Sequence, residues 1–406
     1  MRWRFSDPTN SDEAGRRTAI TAKMDSWWHA FGQQTDDLKA LFSRKKDWDL
    51  PAWMEQNLQA IDPRLMWEFG PAVRGDGHRL VITPESMRHL RPLVRTLLDR
   101  APVIAGWEFY QYRLAEGLEL AKVSVEGRTG YSIADIKFRA ALGEHHRIDL
   151  TFASPAIKDR GDQAALNAAF VAVESLLGEQ SLDEWIGVIE VAPPPRTRGL
   201  KSLFGFGETD WSGFHGLDRL RETVDALIGS IHDQCPPKPH YDWVETAEWT
   251  LWQLQPEQAD DYVEQQDLLV VKSPNPPLWT AAHIGGMFSS QRFSRCGETF
   301  CYIKLDGSQG LDQSAFADKS EIEDAVDAVL KPAFLGCQIG GGTGLRYSYI
   351  DLALTDLDKG IEATKMRLRS GKVPKRSWIQ FFDSDLAAEW VGIYDDTPAP
   401  PMELDS

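Results

Sequence analysis

The amino-terminal part of the chain has the spacing of apolar positions that is typical of helices. Between residues 18 and 31 the apolar side chains recur at intervals of three and four residues, at Ile20, Met24, Trp27, Trp28 and Phe31. This spacing predicts an amphipathic helix. A second helix is predicted over 50–61, where Pro51 occupies a first-turn position. Residues 1–62 are therefore predicted to form an N-terminal helical segment.

After residue 62, short apolar runs alternate with helical patterns. The runs 66–69 and 79–82 are separated by Arg74-Gly75-Asp76-Gly77, whose glycines favour a hairpin turn. A helix is predicted to start at Thr83, a capping residue that is followed by Pro84 in the first turn. This part of the chain is therefore expected to contribute a hairpin and a helix.

The chain then repeats one of its own patterns. Ile148-Asp149-Leu150, followed by Glu184-Trp185-Ile186-Gly187-Val188 and a proline run, returns later in the chain. Its second occurrence is Ile350-Asp351-Leu352, followed by Glu389-Trp390-Val391-Gly392-Ile393 and another proline run. Apolar periodicity around both occurrences predicts the same order of strand, helix, strand, strand, helix, strand. The sequence therefore indicates an internal duplication.

The predicted order of elements in each copy is the split βαβ pattern of the ferredoxin-like sandwich. The fold class is thus predicted to be α+β, with two tandem ferredoxin-like (βαββαβ) sandwiches, each preceded by a hairpin and a helix. The predicted division is the N-terminal helical segment 1–62, a first α+β repeat 63–195, a linker with a connecting helix 196–245, and a second α+β repeat 246–401.

Composition agrees with a folded protein of several domains. The chain has 406 residues, of which 42% are hydrophobic and 10% aromatic, whereas single cores stop growing near about 250 to 300 residues. Residues 1–7 lack an uninterrupted apolar run, and no later stretch approaches about 18 apolar residues. The four cysteines form no CxxC pair. These features predict a cytoplasmic protein with reduced thiols.

The net charge narrows the class of partner. At −17 the chain repels nucleic-acid phosphates and anionic membrane surfaces at long range. We therefore expect neither nucleic acid nor membrane as a partner. A protein partner of basic charge is the better electrostatic match, although acidity of this size also serves solubility alone.

The sequence contains no recognisable catalytic or metal-binding motif. HExxH and GxSxG are absent, and Cys296 with Cys301 lacks a second pair that would complete a metal site. Gly340-Gly341-Gly342-Thr343-Gly344 lacks the Lys-Ser/Thr of a phosphate loop and is predicted to form a flexible hairpin. His145-His146 is predicted to occupy a turn. No catalytic residue, cofactor or metal is predicted, and the balance favours a protein that is not an enzyme.

Two groups of residues are candidates for contact with a partner. Aromatic rings occur in the Pro- and Gly-rich stretch 193–216, and a pair of carboxylates follows a late strand; the candidates are Phe204, Phe206, Trp211, Phe214, Asp383 and Asp385. Aromatic anchors dominate many interfaces, but rings of this kind also fold back onto their own domain. The carboxylates also suit turns, acid–base chemistry or Mg²⁺.

The βαββαβ order together with strong acidity resembles the bacterial protein inhibitors of ribonuclease E, the regulator of ribonuclease activity B family, and related uncharacterised ferredoxin-like families. The resemblance implies a non-catalytic protein that binds and restrains another protein. It covers the order of elements and no residue motif, so it transfers no functional residue. The chain differs from that family in its duplication and its leading hairpins.

Two hypotheses of function follow from the sequence. The first is a non-catalytic cytoplasmic binding or regulatory protein, such as an inhibitor or immunity factor of a basic partner. The alternative is an enzyme or small-ligand binder with a site between the two repeats, because interfaces between domains commonly hold such sites. Repeated modules also suit a structural or assembly component.

Overall fold

In a computed structural model the chain is described at residues 1–195, 210–284, 286–308, 310–311 and 314–402. These residues form two compact units, one within Met1–Gln111 and Pro236–Ser406, the other within Tyr112–Cys235. The fold is of the mixed α+β type. The predicted division into four segments was based on the repeated pattern along the chain and not on compactness. It therefore stays a prediction.

The helices of the described residues are α1 (Ser11–Phe42), α2 (Leu50–Asn57), α3 (Arg91–Asp99), α4 (Leu118–Thr129), α5 (Gln163–Leu177), α6 (Glu179–Trp185), α7 (Leu220–Gln234), α8 (Pro276–His283), α9 (Lys319–Leu330) and α10 (Leu357–Ser370). None of them combines the length and the apolarity that crossing a bilayer requires.

The strands are β1 (Met66–Pro71), β2 (His78–Thr83), β3 (Trp107–Tyr110), β4 (Lys137–Leu142), β5 (Ile148–Ala153), β6 (Ile186–Ala192), β7 (His215–Gly216), β8 (Thr250–Gln253), β9 (Leu268–Ser273), β10 (Thr299–Asp306), β11 (Gly336–Gly344), β12 (Tyr347–Leu354), β13 (Ser377–Phe381) and β14 (Trp390–Gly392). They form sheets of order β1-β2-β3, β6-β5-β4-β7 and β14-β13-β10-β12-β11-β9-β8.

The predicted N-terminal helices and hairpin are confirmed. Asn10 caps α1 by accepting a hydrogen bond from the backbone N–H of Glu13, and Asp49 caps α2 in the same way. One face of α1 is buried against α2, α3 and the sheet β1-β2-β3. The indole N–H of Trp28 donates to the carbonyl of Leu97 at 2.8 Å. The helix predicted at Thr83 begins later, at Arg91, because Arg88–Leu90 first make a 3₁₀ turn.

The seven-stranded sheet is antiparallel throughout. Its centre, β13-β10-β12-β11, follows the path strand, helix, strand, strand, helix, strand along the chain. One face is apolar and packs on α9 and α10; it contributes Ile303, Leu305, Ile350 and Leu352, against Ile322, Val326, Ile361 and Leu368 of the helices. Because strand side chains alternate, the other residues of β10, β12 and β13 face the opposite way.

The opposite face of this sheet is buried but polar. It carries Tyr302, Lys304, Asp306, Tyr347, Tyr349, Asp351, Trp378 and Gln380. The segment 261–267 covers part of it: the Lys304 ammonium donates to the carbonyl of Tyr262 at 2.5 Å, and the Tyr349 hydroxyl donates to the carboxylate of Asp267. Burial lowers the pKa of Lys304 to about 8. A buried face with this many polar groups is unusual for a hydrophobic core and indicates a functional site.

The amino terminus covers β14 at one edge of the sheet. The Glu389 carboxylate accepts hydrogen bonds from the backbone N–H groups of residues 3–5, at 2.6, 3.1 and 2.9 Å. Arg2 donates to the carbonyl of Trp390 at 3.1 Å and pairs with Glu13 at 2.5 Å. The repeated Glu-Trp motif thus has a structural role at its second occurrence.

The first repeat does not have the predicted strand arrangement. β3 pairs in parallel with β2 and not with β4–β6, so it belongs to a different sheet. A ferredoxin-like sandwich places its first strand beside its third, which would put β3 beside β5. Here β6 occupies that position and pairs in parallel with β5. The helices α4 and α5 still pack on β4–β6 around one apolar core. Element order was therefore predicted better than strand pairing.

Of the two predicted turns, one is present in the structure and the other lies elsewhere. The predicted hairpin at Gly340–Gly344 is wrong, because these residues lie within β11 and the chain turns at Leu345 and Arg346 instead. A Cβ on Gly341 would lie 2.2 Å from the carbonyl oxygen of Tyr349, so the close approach of β12 requires glycine there. His145 and His146 occupy the turn between β4 and β5, as predicted.

Candidate functional site

A cavity of about 410 Å³ opens onto the polar face of the sheet within the second repeat. Its polar lining residues are Glu264, Gln265, Gln266, His283, Tyr302 and Ser384. Aromatic walls come from Phe288 and Phe382. Among the described residues that line it, none is a lysine or an arginine. The cavity therefore combines aromatic rings with hydrogen-bonding groups and a negative charge.

Tyr302 lies at the floor of the cavity because it alternates with core residues along β10. Its side chain is only 3% exposed, and its ring contacts Phe382 at 5.0 Å between centroids. Burial raises the pKa of Tyr302 well above its ordinary value, with further contributions from the charges of Glu264 and Asp351. Its hydroxyl has no hydrogen-bond partner among the described residues. A ligand in the cavity that Tyr302 lines would supply this hydroxyl with a hydrogen-bond partner.

Asp351 is the residue directly opposite Tyr302 in the pairing of β12 with β10. One of its carboxyl oxygens accepts a hydrogen bond from the side-chain amide of Gln265 at 3.1 Å. The other oxygen has no hydrogen-bond partner within the described part of the chain. Burial raises the pKa of Asp351 to about 6, and the hydrogen bond from Gln265 opposes that rise.

His283 extends this hydrogen-bond chain from the end of α8. Its Nε2 lies 2.8 Å from Oε1 of Gln265, and its Nδ1 lies 2.8 Å from the carbonyl oxygen of Trp279. Both neighbours are acceptors, whereas a neutral imidazole donates only once. Burial lowers the pKa of His283 and so favours the neutral ring.

The neutral ring implies a coupled arrangement of protons. If the Gln265 amide is reversed, its NH₂ group donates to Nε2 of His283 and its carbonyl faces Asp351. That arrangement requires a protonated Asp351. The raised pKa of this carboxyl group makes its protonated form more stable than that of an ordinary aspartate. If Asp351 is ionised, Gln265 donates to it, and only a protonated His283 then donates to both of its neighbours. The protonation states of Asp351 and His283 are therefore linked through one amide.

Glu264 provides the carboxylate at the cavity wall. Its backbone has a φ of 46°, in the left-handed region that residues other than glycine rarely adopt. The Tyr349 hydroxyl, whose proton goes to the carboxylate of Asp267, lies 3.1 Å from the carbonyl oxygen of Glu264. Strained backbone of this kind is concentrated at functional sites in proteins.

The predicted carboxylate pair lies beside the cavity and not in its wall. Asp383 accepts hydrogen bonds from the backbone N–H of Ser290 at 2.7 Å and from its hydroxyl. Burial raises the pKa of Asp383 to about 6. Asp385 pairs with Arg88 at 2.6 Å, between the N-terminal part of the chain and the second repeat. Both carboxylates have intramolecular partners, and only Ser384 between them lines the cavity.

The predicted aromatic candidates belong to the other compact unit. Trp211 and Phe214 are half-buried and pack edge to face at 5.7 Å. The Lys137 ammonium lies 4.5 Å from the Trp211 ring, and the Arg139 guanidinium lies 5.4 Å from the Phe214 ring. Phe204 and Phe206 lie outside the described residues. The rings that are described therefore contact cations of their own unit, and their role toward a partner stays a prediction.

Sequence reasoning missed the residues that form the cavity. Asp351 gave a signal, because an acid stands between apolar neighbours in the repeated Ile-Asp-Leu motif. Tyr302 gave a weaker signal, because its polar hydroxyl stands between the apolar residues Cys301 and Ile303. Gln265 and His283 gave none, since distant segments bring them together only in the fold.

The described residues contain no group of three or more His, Cys, Asp or Glu side chains arranged to hold a metal ion. The four cysteines are free thiols. Comparison with known proteins gives no match, either to a family model, to a curated protein or to a solved structure. The resemblance to the ribonuclease E inhibitors therefore stays a prediction.

Proposed function

We propose that this protein is a non-catalytic binding protein whose polar cavity takes up an organic cation, an ammonium or guanidinium group. The observation that carries the proposal is Tyr302, which lines the cavity and whose hydroxyl has no hydrogen-bond partner among the described residues. Tyr302 lies directly opposite Asp351 in the strand pairing, and Gln265, which donates to Asp351, also lines the cavity. These residues offer hydrogen-bonding groups to a ligand.

The charge around the cavity selects a cation over an anion. Glu264 supplies a carboxylate to the lining, and neither a lysine nor an arginine is among the described lining residues. Asp351 is linked to the lining through its hydrogen bond from Gln265. The rings of Tyr302 and Phe382 add faces that attract cations. At about 410 Å³ the cavity is within the range of small-molecule sites and also admits the side chain of a lysine or arginine.

The cation has two possible sources, a free small molecule or a basic side chain of a partner protein. The net charge of −17 supports the second source, because it attracts a basic protein at long range. An inhibitor or immunity factor that acts on a basic partner in the bacterial cytoplasm would use the site in this way. The strand order β13-β10-β12-β11 supports a ferredoxin-like second repeat, as in the family that the sequence resembles.

One observation favours a second candidate function, an enzyme that transfers protons. Asp351 has a pKa of about 6, lies opposite Tyr302 in the strand pairing, and is linked through the amide of Gln265 to the His283 imidazole. A carboxyl group with a pKa close to the working pH is suited to general acid–base chemistry. Turnover of a bound cation would support this candidate over the first.

Calorimetric titration with Nα-acetyl-lysine and Nα-acetyl-arginine methylamides tests the proposal, with the norleucine methylamide as a neutral control. We expect heat from the two cationic amides only. Asp351→Asn and Tyr302→Phe each reduce the affinity by about tenfold or more, equivalent to about 1.4 kcal/mol. Asp149→Asn, at the matching position of the first repeat, leaves it unchanged.

The outcomes separate the sources and the candidates. Binding of the free amides supports a small-molecule cation, whereas binding only of basic peptides supports a partner side chain. Chemical change of the amide, followed by NMR, supports the enzyme. Equal affinity for the norleucine amide, or full affinity in both Asp351→Asn and Tyr302→Phe, overturns the proposal.

A further inference from the structure

The two edges of the seven-stranded sheet differ in how they are covered. At one edge, residues 2–5 and Glu389 lie against β14. At the other edge, β8 pairs with β9 on one side only, and no other described strand lies beside it. An open edge strand offers its backbone groups to another chain.

The backbone of β8 has free groups on its outer side. The N–H of Leu254 donates to the carbonyl of Leu269 in β9 at 2.8 Å. Because backbone groups alternate in direction along an antiparallel strand, those of Leu251 and Gln253 point away from β9. Within the described residues these outward N–H and C=O groups have no hydrogen-bond partner. They form a short row to which one more strand can bind.

Apolar side chains accompany this row. Leu251 is 61% exposed, and Trp249 and Val270 are 39% exposed each. Leu251 pairs with Lys272 and Gln253 with Val270, so these side chains share one face of the edge. Proteins usually protect such an edge with charged residues, prolines or bulges. The exposed strip instead provides contacts for the alternate side chains of an added strand.

The charge around the edge indicates what kind of strand would bind. Residues 245–267 contain seven acids and no lysine or arginine; the acids are Glu245, Glu248, Glu257, Asp260, Asp261, Glu264 and Asp267. Glu245 forms an ion pair with Lys331, Asp261 pairs with Arg346 and Arg376, and the nearby Lys272 pairs with Glu323. Glu248 precedes β8 in the chain and Glu257 follows it, and both side chains are exposed. A second copy of this chain would bring the same negative charge to the interface, whereas a basic segment would neutralise it.

We propose that β8 is a docking edge for an extended, basic segment of a partner protein, which adds an eighth strand to the sheet. The added strand exchanges backbone hydrogen bonds with Leu251 and Gln253. Its apolar side chains cover Leu251 and Val270, and its lysines or arginines face Glu248 and Glu257. The edge is separate from the cavity, so this proposal does not rest on the cation site.

The test uses the full chain and a panel of labelled hexapeptides that alternate lysine or arginine with valine, threonine or phenylalanine. Fluorescence anisotropy measures their binding. Acidic peptides of the same pattern, and basic peptides with N-methyl groups on the pairing side, serve as controls. We expect basic peptides to bind, and their N-methylated forms to bind at least about tenfold more weakly, since each lost backbone hydrogen bond weakens the complex. Amide exchange at Leu251 and Gln253 should slow in the complex.

Variants locate the binding. Leu251→Lys places a charge on the edge and should weaken binding at least about tenfold. Val103→Lys is the matched control, because Val103 is a fully exposed apolar residue of the same unit. Asp351→Asn should leave peptide binding unchanged, which separates this edge from the cavity. Failure of every basic peptide to bind, equal binding of N-methylated peptides, or a dimer of the chain that Leu251→Lys dissociates would overturn the proposal.

Discussion

Asp351 and Tyr302 face each other across the pairing of β12 with β10, and each side chain is only 3% exposed. Neither group is fully hydrogen-bonded within the described residues. Tyr302 lines the cavity, and Asp351 is linked to it through Gln265, so both groups can take part in binding a ligand there. This pair is the reason for placing the binding site in the second repeat.

Replacement of Asp351 by asparagine should stabilise the protein at neutral pH while it weakens binding. The pKa of this carboxyl group is about 6 in the folded protein and 3.8 ordinarily. The ionisation of Asp351 therefore costs the folded protein nothing below about pH 4. The free energy of unfolding falls as the pH rises from 4 to 6, and above about pH 6 the loss is constant. A shift of about two units corresponds to at most about 3 kcal/mol.

Urea unfolding at pH 4, 5, 6.5 and 8 measures this effect. We expect Asp351→Asn and wild type to be equally stable at pH 4, and the variant to be more stable by about 1 to 3 kcal/mol at pH 8. Asp149→Asn makes the same substitution at the matching position of the first repeat and serves as the control. A constant difference between Asp351→Asn and wild type at every pH would contradict the raised pKa.

Replacement of Asp385 by asparagine should destabilise the compact unit that contains it. Asp385 pairs with Arg88 at 2.6 Å, and the Arg88 side chain is almost fully buried. Removal of one charge leaves the guanidinium without this carboxylate, so we expect a loss of about 2 kcal/mol. Denaturant unfolding measures it, and a double-mutant cycle with Arg88→Met gives the coupling energy. A coupling energy near zero would show that the pair contributes little.

Replacement of Glu389 by glutamine should release the amino terminus. The carboxylate accepts backbone hydrogen bonds from residues 3–5, and charge-assisted bonds of this kind are about twice as strong as neutral ones. We expect faster hydrogen exchange at the amides of residues 3–5 and a loss of about 2 kcal/mol in the free energy of unfolding. Unchanged exchange at those amides would mean that Glu389 does not hold this segment.

Replacement of Gly341 by alanine should disrupt the sheet. The residue has a φ of +125°, and an added Cβ would lie 2.2 Å from the carbonyl oxygen of Tyr349 in the neighbouring strand. We expect a loss of at least about 3 kcal/mol or failure to fold. Gly32→Ala in α1 is the matched control: nothing lies within 4 Å of its added Cβ, and helix propensity predicts a gain of about 1 kcal/mol. Thermal unfolding of both variants distinguishes the two effects.

The sequence determined the elements with strong local signals. Helical periodicity predicted α1 and α5, and the proline at residue 51 marked the first turn of α2. These features depend on contacts between residues that are close along the chain, so a local pattern is enough to predict them. The order of strands and helices in the second repeat was predictable for the same reason.

Only the tertiary structure decided which strands pair and where the site lies. The sequence patterns of the two repeats are alike, yet β3 pairs with β2 and not with β4–β6, and β6 pairs with β5. Asp149 and Asp351 occupy the same motif, but Asp149 accepts a backbone hydrogen bond from Val188, whereas Asp351 accepts one from Gln265, a residue that lines the cavity. The physical reason is that strand pairing and cavity walls depend on long-range contacts, which no local spacing encodes.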